Sequence, residues 1–182
     1  TILAQMAAEC MDCSVEDVAV FGADTDASPY DSGSYASSTT YITGKAVERA
    51  CAELKAQICA IAAGMLGCET TEVVFEGKQV RRPDTGEAVS LEQIGYKTQA
   101  ASTQAAEATV SHSSPISPPP FMVGMVEIEL DKETGLVTVL DYMAVVDCGL
   151  PINPALARIQ TEGGIVQGIG HTLMEEVRYD HS

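Results

Sequence analysis

The sequence predicts an α+β fold in which a mixed β-sheet packs against two long helices. Three observations carry that prediction. Val47, Cys51, Leu54, Ile58, Ile61 and Met65 recur every three or four positions, which places them on one stripe of a helix. Val126, Ile128 and Leu130 alternate with Glu127 and Glu129 ahead of the turn sequence DKETG, the pattern of a strand entering a hairpin. Asn153 and Pro154 stand where a final helix can begin, to run over about residues 155–176.

The other elements follow in order. Residues 1–11 read as the end of a helix, with Ile2, Leu3, Met6 and Ala7 on one face. VEDVAVFGAD suggests a short strand ending at Gly22. A polar loop then leads into the first long helix, running from about Thr40 to Met65 and closed by Gly67. TTEVVFEGKQVRR reads as a strand running into a turn at RPDTGEAV, where Pro83, Asp84 and Gly86 have turn chemistry. SLEQIG predicts a short helix capped by Ser90, with Gln93 three residues on. From 98 to 120 the composition shifts to Ala, Ser, Thr and Pro, ending in SSPISPPPF. That is linker composition, read here as an ordered surface connection with a strand expected over 105–110. The MVEIEL and LVTVLDYMAVVD runs on either side of DKETG make the hairpin, and no internal repeat is visible.

Composition limits the function. The chain has 182 residues and 46% hydrophobic content, enough for a buried core. Its net charge of −16, from 26 acidic against 10 basic residues, argues against a phosphate-backbone partner such as nucleic acid, which needs clustered Lys and Arg. No apolar run reaches the length of a membrane span. The first residues, TILAQMAAEC, lack the basic region of a signal peptide, so a cytoplasmic location is expected. The six cysteines are then expected as free thiols, and Cys51 and Cys59 lie within one helix.

Most candidate sites have plain explanations. Cys10 and Cys13 form a C-x-x-C, but a zinc site needs four ligands and only one such pair exists, so ordinary thiols are expected and no metal ligand is assigned. His112, His171 and His181 are scattered. Asp24, Asp26 and Asp31 lack the twelve-residue calcium loop and suit turns. No nucleophile elbow or Walker loop is present, and no catalytic residue is assigned.

Two stretches remain. The first is YDSGSYASSTTYITGKAV, where Ser32, Gly33, Ser34, Ala36, Ser37, Ser38 and Thr39 crowd the entrance of the long helix. First-turn N–H groups lack intrahelical acceptors, and with the helix dipole they make an anion site that small residues leave accessible. A plain Ser/Thr cap is the alternative. The second is NPALARIQTEGGIVQGIG, with Gly163, Gly164, Gly168 and Gly170 in one helix and Gln160 and Gln167 nearby. Each such glycine costs about 1 kcal/mol relative to alanine, so a close approach is needed to explain them. The approaching group is either a cofactor or the backbone of a packed sheet.

GADTDASPYDSGSYASSTTYITGKAV, VEIELDKETGLVTV and VVDCGLPINPALARIQTEGGIVQGIGHTLMEE, in that order, resemble the molybdenum-cofactor-binding region of the xanthine dehydrogenase/aldehyde oxidase family of molybdenum hydroxylases. The resemblance spans nearly the whole chain. It implies that Ala36, Ser37, Ser38 and Thr39 bind molybdopterin and its phosphate or dinucleotide portion through backbone N–H groups and hydroxyls, with Gln160 also reaching the cofactor. Molybdenum is held in that family by the pterin's dithiolene sulfurs, so a Cys/His cluster is not needed. Residues 1–182 are then expected to be one incomplete cofactor-binding domain of a larger large subunit.

The same resemblance implies what these residues lack. A cofactor-contacting Gln precedes the point matching Thr1, and the catalytic Glu follows the point matching Ser182; Glu175 and Glu176 do not match it. The implied partners are the remainder of the large subunit and iron–sulfur and flavin domains or subunits. The implied parent reaction is oxidative hydroxylation of an aldehyde or N-heterocycle with water as oxygen donor. By itself the chain is expected to be inactive. A non-catalytic interaction module that needs a missing half is the other reading.

Overall fold

The structure, a computed structural model, describes residues 1–31, 33–101 and 105–180; Ser32 and His181 of the sequence reading lie outside the described residues. The chain divides into two compact units, Thr1–Ser117 and Pro118–Ser182, and the division falls within the proline-rich stretch.

The first unit is organised by its long helix. Helix α1 (Ile2–Cys10) precedes α2 (Thr39–Leu66), whose 28 residues extend over about 42 Å. Gly67 ends α2 in the left-handed region at φ 66°, its N–H bonded to the Ala63 carbonyl, as the sequence anticipated. Ile58, Ala62 and Ala63 of α2 form a core with Val73, Val80 and Ile94. The two alanines let the opposing layer come close, and Val80 at the middle of its strand is fully buried.

Helix α1 differs from expectation in its face. Ala4 and Ala8 are buried, while Ile2, Leu3, Met6 and Ala7 are only half-buried. The reason is the closeness of α1 to α2: a Cβ on Gly44 would stand 2.6 Å from Cε of Met6. Helices that meet so closely select small residues for the line of contact. The strand expected before Gly22 is absent. Val15–Asp17 forms a single 3-10 turn capped by Ser14, and the following residues find no strand partner among the described residues, leaving Val20 and Phe21 exposed.

TTEVVFEGKQVRR is two strands rather than one. Strands β1 (Val74–Glu76) and β2 (Gln79–Arg81) turn about Gly77, φ 60°, whose N–H donates to Oδ2 of Asp12 at 2.6 Å. Strand β3 (Ala88–Ser90) completes an antiparallel sheet in the order β1-β2-β3. Arg82 at the turn pairs with Glu72 at 2.7 Å. Ser90 then caps α3 (Leu91–Ala100) as predicted: Ser90 Oγ accepts the Gln93 N–H, and Gln93 Oε1 accepts the Ser90 N–H.

Residues beyond 105 form an ordered connection, but no strand over 105–110. Side chains of α2 take the place of a neighbouring strand. The Gln57 amide donates to the Glu107 carbonyl at 2.8 Å and accepts the Glu107 N–H at 3.1 Å. Arg49 meets His112 at 3.3 Å, and the Tyr41 hydroxyl donates to the Ile116 carbonyl at 2.7 Å. These anchors recur every eight residues, about 12 Å apart along the helix.

The second unit contains β4 (Phe121–Leu130), β5 (Val137–Asp147) and α4 (Pro154–Leu173). The strands pair antiparallel from Phe121↔Asp147 to Leu130↔Val137, with a bulge between Glu127 and Ile128. Asn153 caps α4 by accepting the Leu156 N–H at 3.0 Å. The α+β class therefore stands, with α2 and α4 as its long helices. The described strands pair only antiparallel, in two sheets instead of one mixed sheet, because turns of two to six residues cannot supply the crossover that a parallel neighbour requires.

All six cysteines are free, and no group of three metal-ligating side chains occurs among the described residues. Burial pushes the Cys51 and Cys59 thiols up, which keeps both protonated at neutral pH. No helix among the described residues is long and apolar enough to cross a membrane.

The turn between β4 and β5 gives a pH test. The Thr134 hydroxyl, 2.6 Å from Oδ2 of Asp131, and the Glu133 N–H hold the Asp131 carboxyl below the usual carboxylate range. The stability this adds is present above the unfolded pKa of about 4 and is lost as pH falls through the lower folded value. Thr134→Ala is expected to move the Asp131 titration, followed by its carboxyl NMR shift, back up toward that ordinary value. An unmoved titration would remove the hydroxyl as the cause.

Candidate functional site

The helix entrance has an unusual backbone. Tyr35–Ser37 forms one 3-10 turn in which Ala36 adopts φ 55° and ψ 24°, and Ser37 follows at φ 56°. Ser38 returns to right-handed values, φ −92° and ψ −11°, and is the N-cap of α2. Two consecutive non-glycine residues in the left-handed region cost on the order of 1–3 kcal/mol each, a strain that collects at ligand clamps. A left-to-right change of hand between adjacent residues also turns successive N–H groups to one side, forming a concave anion nest.

Ser38 bears on the plain-cap reading of this entrance. Its hydroxyl donates back to the Tyr35 carbonyl at 2.9 Å and steadies the turn, and α2 has no side-chain cap. The plain Ser/Thr cap is therefore not formed. First-turn N–H groups with the positive end of a 28-residue helix behind them remain for an outside acceptor. Ala36 and Ser37 are exposed, and Ser38 and Thr39 half-exposed. Asp31 accepts the Gly33 N–H at 2.7 Å and Asp24 the Asp26 N–H at 2.9 Å, so both acids serve turns, as read from the sequence.

Gln160 lies in the second unit, on α4. It is exposed and lines a cleft of about 820 Å³ whose walls are α4 and one face of the β4–β5 hairpin. Thr161 shares the cleft, but its hydroxyl is spent on the Ala157 carbonyl at 3.1 Å. A Cβ built on Gly163, Gly164 or Gly168 would meet nothing within 4 Å. Close sheet packing, one explanation for these glycines, is thus not realised within this unit.

Taken by itself, the first unit presents uncapped helix amides that suit an anionic group, and the second unit presents an amide side chain beside a bare helical face. The decisive comparison is with known families. The molybdopterin cofactor-binding domain family matches residues 1–182. The chain belongs to this family. Its cofactor is molybdopterin.

Individual relatives agree. The chain is 34% identical over 181 residues to the Escherichia coli protein named "Probable hypoxanthine oxidase XdhD", covering 99% of this chain and 19% of that one. It is 32% identical over 192 residues to the nicotine 6-hydroxylase large subunit of Paenarthrobacter nicotinovorans, covering all of this chain and 23% of the relative. Among solved structures, quinoline 2-oxidoreductase from Pseudomonas putida 86 superposes with a TM-score of 0.74 at 30% identity, over 100% of this chain and 24% of that chain. The chain thus spans 19% to 24% of the length of these relatives.

Sequence reasoning singled out residues 36–39 and Gln160 as cofactor contacts, and it did not single out Tyr41, Arg49 and Gln57 of α2, which anchor the connecting segment. The turn gives a direct test of strain. Ala36→Gly is expected to stabilise the protein by roughly 0.5 kcal/mol, and Ala36→Val to destabilise it by more than about 1 kcal/mol, in urea unfolding. The opposite order would show that the left-handed turn does not form.

Proposed function

We propose that residues 36–39 and Gln160 are contacts to molybdopterin within a molybdenum hydroxylase large subunit. The turn binds the anionic part of the cofactor through backbone N–H groups, and the Gln160 amide adds a second contact. The observation that carries this reading is the uncapped α2 N-terminus behind a strained turn, in a sequence stretch rich in capping residues. In a chain of net charge −16, an anion is held by local dipoles against the overall field.

The bound molybdenum cofactor supplies the redox chemistry. The chain's own residues bind and orient, and none is assigned a proton or nucleophile. Glu175 and Glu176 remain without a catalytic role. The parent reaction we propose is oxidative hydroxylation with water as oxygen donor. Relatives named for nicotine and quinoline favour an N-heterocycle over an aldehyde. Electrons leave through iron–sulfur and flavin domains or subunits, in keeping with relatives that carry the names of subunits in a larger assembly.

Cofactor retention in the assembled enzyme tests the contacts, measured by pterin fluorescence after release. Ser37→Trp is expected to lower retention about tenfold or more by blocking the amides, and Gln160→Ala by a few-fold through one lost hydrogen bond. Ser37→Gly keeps the backbone geometry and is expected to retain the cofactor nearly as well as the parent. Full retention in both Ser37→Trp and Gln160→Ala would overturn the assignment.

A further inference from the structure

Three of the six thiols gather where α1 meets α2. Cys10 is the last residue of α1, and Cys51 lies near the middle of α2 and is buried, 8% exposed. The two side chains share a hydrogen bond. Cys13 follows the helix; its N–H donates to the Ala8 carbonyl at 3.0 Å, which folds it back toward the same place. It acts on Cys51 only through charge, without a hydrogen bond to it. Cys10 and Cys13 are both half-buried.

The packing of the two helices suits a bond between them. Ala4 and Ala8 are the buried residues of α1, and a Cβ on Gly44 of α2 would stand 2.6 Å from Cε of Met6. Small residues along the line of contact bring facing Cα atoms within the roughly 7 Å that a disulfide requires. The hydrogen bond singles out Cys51, rather than Cys13 of the C-x-x-C, as the partner already in place for Cys10.

We propose that Cys10 and Cys51 form a reversible disulfide that fastens α1 to α2 when the protein meets a hydroperoxide. Burial keeps Cys51 protonated at neutral pH, so the half-buried Cys10 takes the oxidant first. Its sulfur attacks one peroxide oxygen and the O–O bond breaks. With hydrogen peroxide, the other oxygen leaves as water with the thiol proton, and Cys10 becomes a sulfenic acid. The Cys51 sulfur then displaces the sulfenic hydroxyl, which departs as a second water with the Cys51 proton. Two thiols are oxidised to one disulfide and one peroxide is reduced to two waters. A dithiol reverses the bond by exchange.

The position of the bond gives it a consequence. It closes a loop over residues 11–50, and between the two helices, at 11–38, the described residues form only two 3-10 turns. A covalent closure of a long, irregular segment removes more chain freedom than one of a short segment. The enclosed residues include the left-handed turn at Ala36 and Ser37. The bond forms or fails irrespective of what that turn holds.

The test uses the full-length large subunit in its native complex, treated with hydrogen peroxide, alkylated and digested without reduction. A Cys10–Cys51 cross-linked peptide is expected by mass spectrometry, and dithiothreitol is expected to remove it. Amide exchange over residues 5–13 is expected to slow about tenfold or more on oxidation, because α1 can no longer open from α2. Cys10→Ser, a change at a half-buried position, is expected to abolish both the cross-link and the slowing. A Cys10–Cys13 bond in the unsubstituted protein, no disulfide at either residue, exchange unchanged by oxidation, or slowing that persists in Cys10→Ser would each overturn the inference.

Discussion

The first unit depends on one helix serving two purposes at its two ends. The C-terminal half of α2 packs Ile58, Ala62 and Ala63 into the core with Val73, Val80 and Ile94. That packing fixes the axis, and a fixed axis makes the far end a defined place. There the N–H groups and the helix dipole are held at the surface behind Ala36 and Ser37. Tyr41, Arg49 and Gln57 tie a connecting segment along the same helix. A nucleus of small and branched residues thereby supports a polar site it does not touch.

Strain and openness share a physical cause here. A protein keeps two left-handed non-glycine residues in succession only where surrounding structure imposes them. Ser38 helps by bonding back to Tyr35, at the expense of capping its own helix. In α4 Gly163, Gly164 and Gly168 give up helix stability and receive no packing from their own unit. In β4 large apolar groups face solvent. The last two are local costs that their own unit does not offset.

Periodic signals were readable because they follow from backbone geometry alone. The α2 stripe, the Gly67 stop, the Ser90–Gln93 capping box, the Asn153 cap and the β4–β5 hairpin all stand as the sequence indicated. The strand before Gly22 and the strand at 105–110 do not. A strand exists only through its neighbour's hydrogen bonds, and Gln57 supplied a side chain where a strand was expected. The buried face of α1 also escaped the sequence, because hydrophobicity favoured Ile2 and Leu3 while helix closeness selected Ala4 and Ala8.

The sequence by itself determined the fold class, the two long helices, the strongly acidic character, and the stretches where a cofactor is bound in the family it resembles. These are properties of residue order and composition, and they need no knowledge of neighbours. Only the tertiary structure decided that Ser38 turns away from capping α2, that Gly163, Gly164 and Gly168 of α4 meet no packing atom in their own unit, and that β4 is uncovered by its own unit on the face opposite α4. Those outcomes depend on which atoms share a volume, and chain order alone does not specify that.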